Sequence, residues 1–400
     1  YAYANAINAM AIGTNSTANQ SDAFAAGVQA SASGLNSMAL GRNAVANTTN
    51  ALAYGTSALA TGVAAMATGT AAKALADQSI AAGANATASS VGALAFGPNA
   101  LASGTQSIAM GANASGTGAN SIAIGISSVA NASRAFAAGA CSQALNDGAM
   151  ALSSSALATG VNSIAAGAAA QALNTGALAL STGALASGEN AIAAGAGTSS
   201  TNTNSVAIGT DALSTAVNSF AAGPGAAATN TNALALGTAS VASGTGAFAL
   251  GLSAEATNTN TVALGVNATA TGLSAYAIGV QSSATASNSL ALGPNAKANA
   301  DSAFAIGLNA LASGANSVAL GSFSSALAND AYSIGLSSLA SGINASAFGT
   351  SATANGDSSF AVGTDSLASN TNAIAFGPSS KATGVNSYAS GANARALNAN

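Results

Sequence analysis

Counting in steps of fourteen from Gly13 lands on glycine at 26 of 28 positions as far as Gly391, with Ser153 and Ser181 as the exceptions and no insertion or deletion between them. A fixed short period constrains a fold more than any local motif, because each repeat must be one structural unit stacked on its neighbours. A chain of 400 residues would ordinarily suggest two or three domains. The unbroken register leaves no place for a boundary or linker, so residues 1–400 read as one array of about 28 fourteen-residue repeats.

With the glycine as position zero, the residue at minus two is alanine in 27 of 28 repeats and the residue at minus three is large and apolar in 27. At minus one a large apolar residue stands in 20 repeats, and six of the rest are alanine: Ala26, Ala82, Ala138, Ala166, Ala194 and Ala222. Each of these six follows a Phe or Ile two residues earlier, as side chains sharing one closed volume would require. Large, Ala, large, Gly is the strict alternation of a short strand with two unlike faces. A second alternation, small, variable, small, begins at plus three. At plus seven stands Gly in 12 repeats and Asn in 7, the residues that best tolerate a left-handed backbone. Each repeat therefore predicts strand, glycine turn, strand, Gly/Asn turn: one coil of a β-solenoid. A helix is excluded despite the abundant alanine, since the recurring Gly, Asn, Ser and Thr would break it every turn or two.

The alternation predicts an inside and an outside. If the large residues at minus three and minus one fill the coil, the small residues at plus three and plus five face them from the second strand. The alanine at minus two, as in Ala123, Ala207 and Ala319, is then left outside, where its size lets a neighbouring chain approach. All sixteen charged residues fall at plus one, two, four, eight or nine, away from the positions assigned to the interior. Two buried side chains do not offset the entropy of ordering fourteen residues, so ladder hydrogen bonds and a second buried surface are required. An oligomer of copies abutting along their length would supply that surface.

NSVAIG (204–209), NSIAIG (120–125) and NSVALG (316–321), with ALATG (156–160), resemble the head repeats of trimeric autotransporter adhesins of the YadA type. The resemblance implies an all-β, left-handed parallel β-roll of fourteen-residue coils in a side-by-side homotrimer. It also implies extracellular display on a Gram-negative cell surface, for attachment to a host matrix protein, a glycan or an abiotic surface. The family's stalk and membrane anchor have no counterpart in this stretch. The expectation is either a piece of a longer adhesin or, alternatively, a self-assembling extracellular filament built by end-to-end stacking.

The residue inventory predicts no enzyme. There is no histidine, which removes Ser-His-Asp and Cys-His mechanisms and the usual zinc sites. The ten carboxylates are scattered, so no catalytic, cofactor-binding or metal-binding residues are assigned and no cofactor is expected. A net charge of −4 without a basic run gives no footprint for nucleic acid. No unbroken apolar stretch is long enough to span a membrane. Cys141, alone and on a turn, reads as a tolerated substitution, and sequons such as those at Asn15, Asn85 and Asn344 read as products of composition.

The sharper candidate is the variable plus-four column, which carries Leu59, Leu101, Leu157, Leu185, Leu213, Leu311, Leu339 and Leu367 among polar residues. A stripe repeated at coil spacing could contact a surface many times over. A threonine ladder suited to ice, suggested by Thr201, Thr229 and Thr257, is disfavoured because each precedes an Asn expected to be left-handed.

Overall fold

The computed structural model describes residues 1–398. The chain divides into two compact units, Tyr1–Thr201 and Asn202–Asn400. Both are β-solenoids, and the described residues contain no helix. Each complete coil has a three-residue strand from minus three to minus one, such as Val206–Ile208, and a two-residue strand at plus four and plus five, such as Leu213–Ser214. Within each unit, successive strands of one kind pair in parallel with the strand fourteen residues on. In the first unit Ile122, Ala123 and Ile124 lie beside Phe136, Ala137 and Ala138. In the second, Val206, Ala207 and Ile208 lie beside Phe220, Ala221 and Ala222. Equivalent residues therefore stack in columns, as the constant period predicts.

The turns differ from the sequence expectation in one respect. After the longer strand, Ala212 N–H donates to the Gly209 carbonyl at 3.1 Å and closes a β-turn whose third residue, Asp211, has φ 55°. After the shorter strand, Ser219 N–H donates to the Ala216 carbonyl at 3.2 Å, with Asn218 at φ 54° as the third residue. The left-handed residues are thus at plus two and plus nine, where a turn of this kind needs positive φ. The Gly or Asn at plus seven is not left-handed. Gly34 at that position instead allows close approach, since a Cβ there would lie 1.9 Å from the carbonyl oxygen of Thr48 in the next coil. Where plus seven is Asn, its amide reaches across: Asn146 Nδ2 donates to the Thr159 carbonyl at 2.6 Å and Asn258 Nδ2 to the Thr271 carbonyl at 3.2 Å. The coil is consequently two seven-residue halves of the same backbone design, with unlike side chains.

The inside and the outside are the reverse of those predicted. In the coil around Gly209 the buried residues are Ser205, Ala207, Ala212 and Ser214, while Val206 is half-buried and Ile208 is exposed. Ala123, Ala207 and Ala319 have 0% exposure in the single chain, so they fill the coil and offer nothing to a neighbour. The large residues at minus three and minus one stand outside. The reason is thickness. Four positions per coil face inward, at minus four, minus two, plus three and plus five, and all carry small residues, so the two strand layers close up. At Gly116, on the shorter strand, a Cβ would come within 2.8 Å of the Ile108 carbonyl oxygen opposite. Nothing larger than threonine is fully buried among the described residues.

Interior hydroxyls are accommodated by the turns. Ser128 Oγ donates to the Gly125 carbonyl at 2.9 Å, and Ser289 Oγ to the Ala286 carbonyl at 2.6 Å. Serine at plus three or minus four can pair in this way, but the buried hydroxyls of Ser107, Ser121, Ser317, Ser359, Ser366, Ser380 and Ser387, at the same two positions, have no hydrogen-bond partner.

Two predictions follow from the thin interior and the glycine column. Ala207→Leu is expected to destabilise the coil itself by about 3 kcal/mol or more, because no cavity exists to receive the added volume. Loss of β-structure signal at lower temperature in circular dichroism checks this, whereas an unchanged melt would restore the outward assignment. Ser153 and Ser181 occupy the glycine column at φ 112° and 97°, a conformation that L-residues adopt only under strain. Ser153→Gly is expected to stabilise the first unit by about 1 kcal/mol, read as a higher melting temperature.

Candidate functional site

Two outer faces carry the chain's distinctive chemistry. The first is formed by the longer strands, whose minus-three and minus-one side chains make two parallel apolar columns. In the first unit Ile108, Ile122, Phe136 and Met150 stack at minus three, and Phe96, Met110, Ile124, Ala138 and Leu152 at minus one. Within one chain these residues are half-buried or exposed, Met110 at 45% and Ile208 at 42% for example. Yet none of the 56 positions on this face is Asp, Glu, Lys or Arg. An accessible apolar face that admits no charge in any coil is unusual for a surface left in water.

The face is not smooth. Where a small residue replaces a large one, the column is notched, as at Thr68, which opens a shallow recess bordered by Leu40 and Tyr54. Leu290 lies in a similar recess between Tyr276 and Phe304. At Ser346, where minus three is small, Phe348 packs edge-on against Phe360 of the next coil, with ring centroids 5.7 Å apart. Aromatic side chains on this face thus use neighbouring space when it is offered.

The second face is the outer side of the shorter strands. The leucines proposed as a contact stripe lie here: Leu101 is 37% exposed, and Leu59, Leu157, Leu185, Leu213, Leu311, Leu339 and Leu367 are half-buried. The ladder separates them with small or hydrophilic rungs. Leu157 lies between Gln143 and Gln171, and Leu339 between Ser325 and Thr353. Apart from Leu59, which has Val45 beside it, they are single apolar contacts at intervals, not a continuous greasy surface. Beside them, plus six often carries Thr or Ser, and Thr257 and Thr271 still extend the ladder through their N–H groups. The left-handed Asn expected to spoil this threonine column is absent, because Asn202, Asn230 and Asn258 have ordinary negative φ.

Six of the ten acids act on the fold. Val63 N–H donates to Asp77 Oδ1 at 2.8 Å and Ile343 N–H to Asp357 Oδ1 at 2.8 Å, with Asp147 and Asp301 accepting from Ser133 and Ser287 in the same way. A carboxylate at plus eight thereby satisfies the plus-eight amide of the coil before it, which no carbonyl reaches. Asp22 and Asp330 accept the side-chain amides of Asn8 and Asn316. The sequence placed these acids only away from the interior; which amides they cap is decided by the stacking of the coils. Among the described residues no three of His, Cys, Asp and Glu gather as a metal site would require, and Cys141 is exposed.

Comparison with known proteins agrees with this architecture. The family described as the YadA head domain repeat matches residues 4–30, 32–58, 60–86, 88–114, 117–140 and 158–180, then overlapping windows from 186 to 337, and residues 340–366 and 368–394. Among solved structures, the crystal structure of the collagen-binding domain of the Yersinia adhesin YadA is similar. Its sequence is 27% identical, and the match covers 44% of this chain and 67% of that one with a TM-score of 0.19. No curated protein matches the chain. With its repeats matched over most of their length and in the register of its coils, the chain belongs to the YadA head domain repeat family, the heads of trimeric autotransporter adhesins.

Proposed function

We propose that the chain is an adhesive head displayed outside a Gram-negative cell, in which three copies abut through the minus-three and minus-one face and present the plus-four face outward. The carrying observation is the uncharged, notched apolar face, which a lone chain would leave in water. Membership of the head-repeat family supports the adhesive role. Covering the apolar columns supplies the second buried surface that a coil cored with alanine lacks. This replaces the proposed contact through Ala123, Ala207 and Ala319 with one through their neighbours Ile122 and Ile124, Val206 and Ile208, and Val318 and Leu320.

Attachment on this reading is multivalent. Isolated leucines among Gln, Ser, Thr and Lys give many weak contacts, repeated along each chain and again on each copy, so avidity supplies the hold. The partner is a host matrix protein, a glycan or an abiotic surface. No chemical step is involved.

Light scattering of the purified protein is expected to give discrete particles of three chain masses; indefinitely long fibres would instead favour a filament. Ile122→Asp with Ile124→Asp is expected to lower the oligomer's melting temperature or release monomers that keep their β-structure. An oligomer indifferent to both changes would refute the interface. Replacing Leu59, Leu101, Leu157 and Leu185 by Asp is expected to reduce attachment to matrix-coated surfaces by about tenfold or more while the particle mass stays constant. Undiminished attachment would rule out the leucine stripe.

A further inference from the structure

The bulk pattern on the apolar face carries information beyond hydrophobicity. Phe or Ile holds twelve of the 28 minus-three positions, yet all six alanines at minus one follow one of them. Such compensation preserves a shared volume. The coil interior is not that volume, because both columns lie outside it. Nor is it closed within one chain: Phe136 and Ala138 are each half-buried, and the ladder neighbours of Ala138 are Ile124 and Leu152, which leave it as a notch between two rungs. The same notch recurs at Ala166, between Leu152 and Leu180, and at Ala194 after Leu180.

We propose that these large and small pairs are a register key between copies of this chain: the minus-three side chain of one copy seats in the minus-one notch of the same-numbered coil of the next. The proposal rests on the trimer reading above. It answers a problem intrinsic to the array, since a chain of near-identical coils can be slipped against its partner by fourteen residues with every backbone contact retained. In a closed ring the contacting patches differ, so minus three of one copy can meet minus one of its neighbour at one level. In register, Phe136 meets the Ala138 notch. A one-coil slip puts Phe136 on the Ile124 or Leu152 rung and leaves the notch facing Ile122 or Met150. A two-coil slip rephases the notches from Ala138 to Ala194 but places Phe24 on Tyr54 in one direction and Phe136 on Met110 in the other. Each slip thus produces overlap at several sites, and the one-coil slip also forfeits the notch contact.

The test uses the full chain with Cys141→Ser as background. Differently tagged chains carrying Phe136→Cys and Ala138→Cys are co-expressed and oxidised, and disulfide-linked pairs of unlike tag are counted. Phe136→Cys with Ile124→Cys and Phe136→Cys with Leu152→Cys report the one-coil slips. The level pair is expected to link at least about tenfold more than either slipped pair, because slipping costs both overlap and lost contact. Equal yields, or a slipped pair in excess, in particles of trimer mass would overturn the register key and leave the trimer standing. Absence of trimers by light scattering would overturn the underlying reading instead. Independently of the thiols, Ala138→Phe is expected to lower the trimer's melting temperature and Phe136→Ala added to it to restore most of the loss. Simple addition of the two losses would show that the positions do not share a volume.

Discussion

The narrow gap between the two strand layers of a coil governs the rest of the structure. Four inward positions carry Ala, Ser, Thr or Gly, and the layers approach until these side chains touch. That closeness demands tight turns, hence a glycine with φ between 113° and 149° at position zero and left-handed residues at plus two and plus nine. It also expels every large side chain. The alanine at minus two is nearly invariant along the chain because it is the most enclosed residue of the longer strand.

A coil cored with alanine buries little apolar area for the backbone it orders, so much of its support comes from hydrogen-bonded ladders between coils. Side-chain amides and carboxylates extend those ladders at the turns, from Asn85 to Asn99 and from Asp77 to the Val63 amide. Six of the ten acids, Asp22, Asp77, Asp147, Asp301, Asp330 and Asp357, are used in this way. Bulk that a globular domain would place in its core is held on the outer face of the longer strands. In the proposed assembly this bulk becomes a core shared between copies, so the stability of the coil and the association of chains are coupled while their residues remain distinct. Interior positions answer to the coil's thickness; outer apolar positions answer to the neighbour.

The two outer faces divide the work accordingly. One is apolar and without charge, which suits the proposed partner of matching shape. The other alternates single leucines with Gln, Ser, Thr and Lys rungs, remains hydrated, and suits many weak contacts. Neither needs a deep pocket or a perturbed ionisable group. In the proposed reading, function lies in the spacing of modest side chains at coil distance.

Period, strand positions and the two turns per coil were legible in the amino-acid sequence, because a fourteen-residue recurrence can be read without coordinates. The volume compensation at Phe136 and Ala138 was visible as well. Which side of the strand faced inward was not. Alternation states that Val206 and Ile208 share a face opposite Ala207, and it is equally satisfied by either face lying inside. Only the tertiary structure decides, because the choice depends on how closely two strand layers can approach once Ser205, Ala212 and Ser214 are also small. The same holds for plus seven, where glycine signals either a left-handed turn or a close contact, and the coil stacked above Gly34 determines that it is contact.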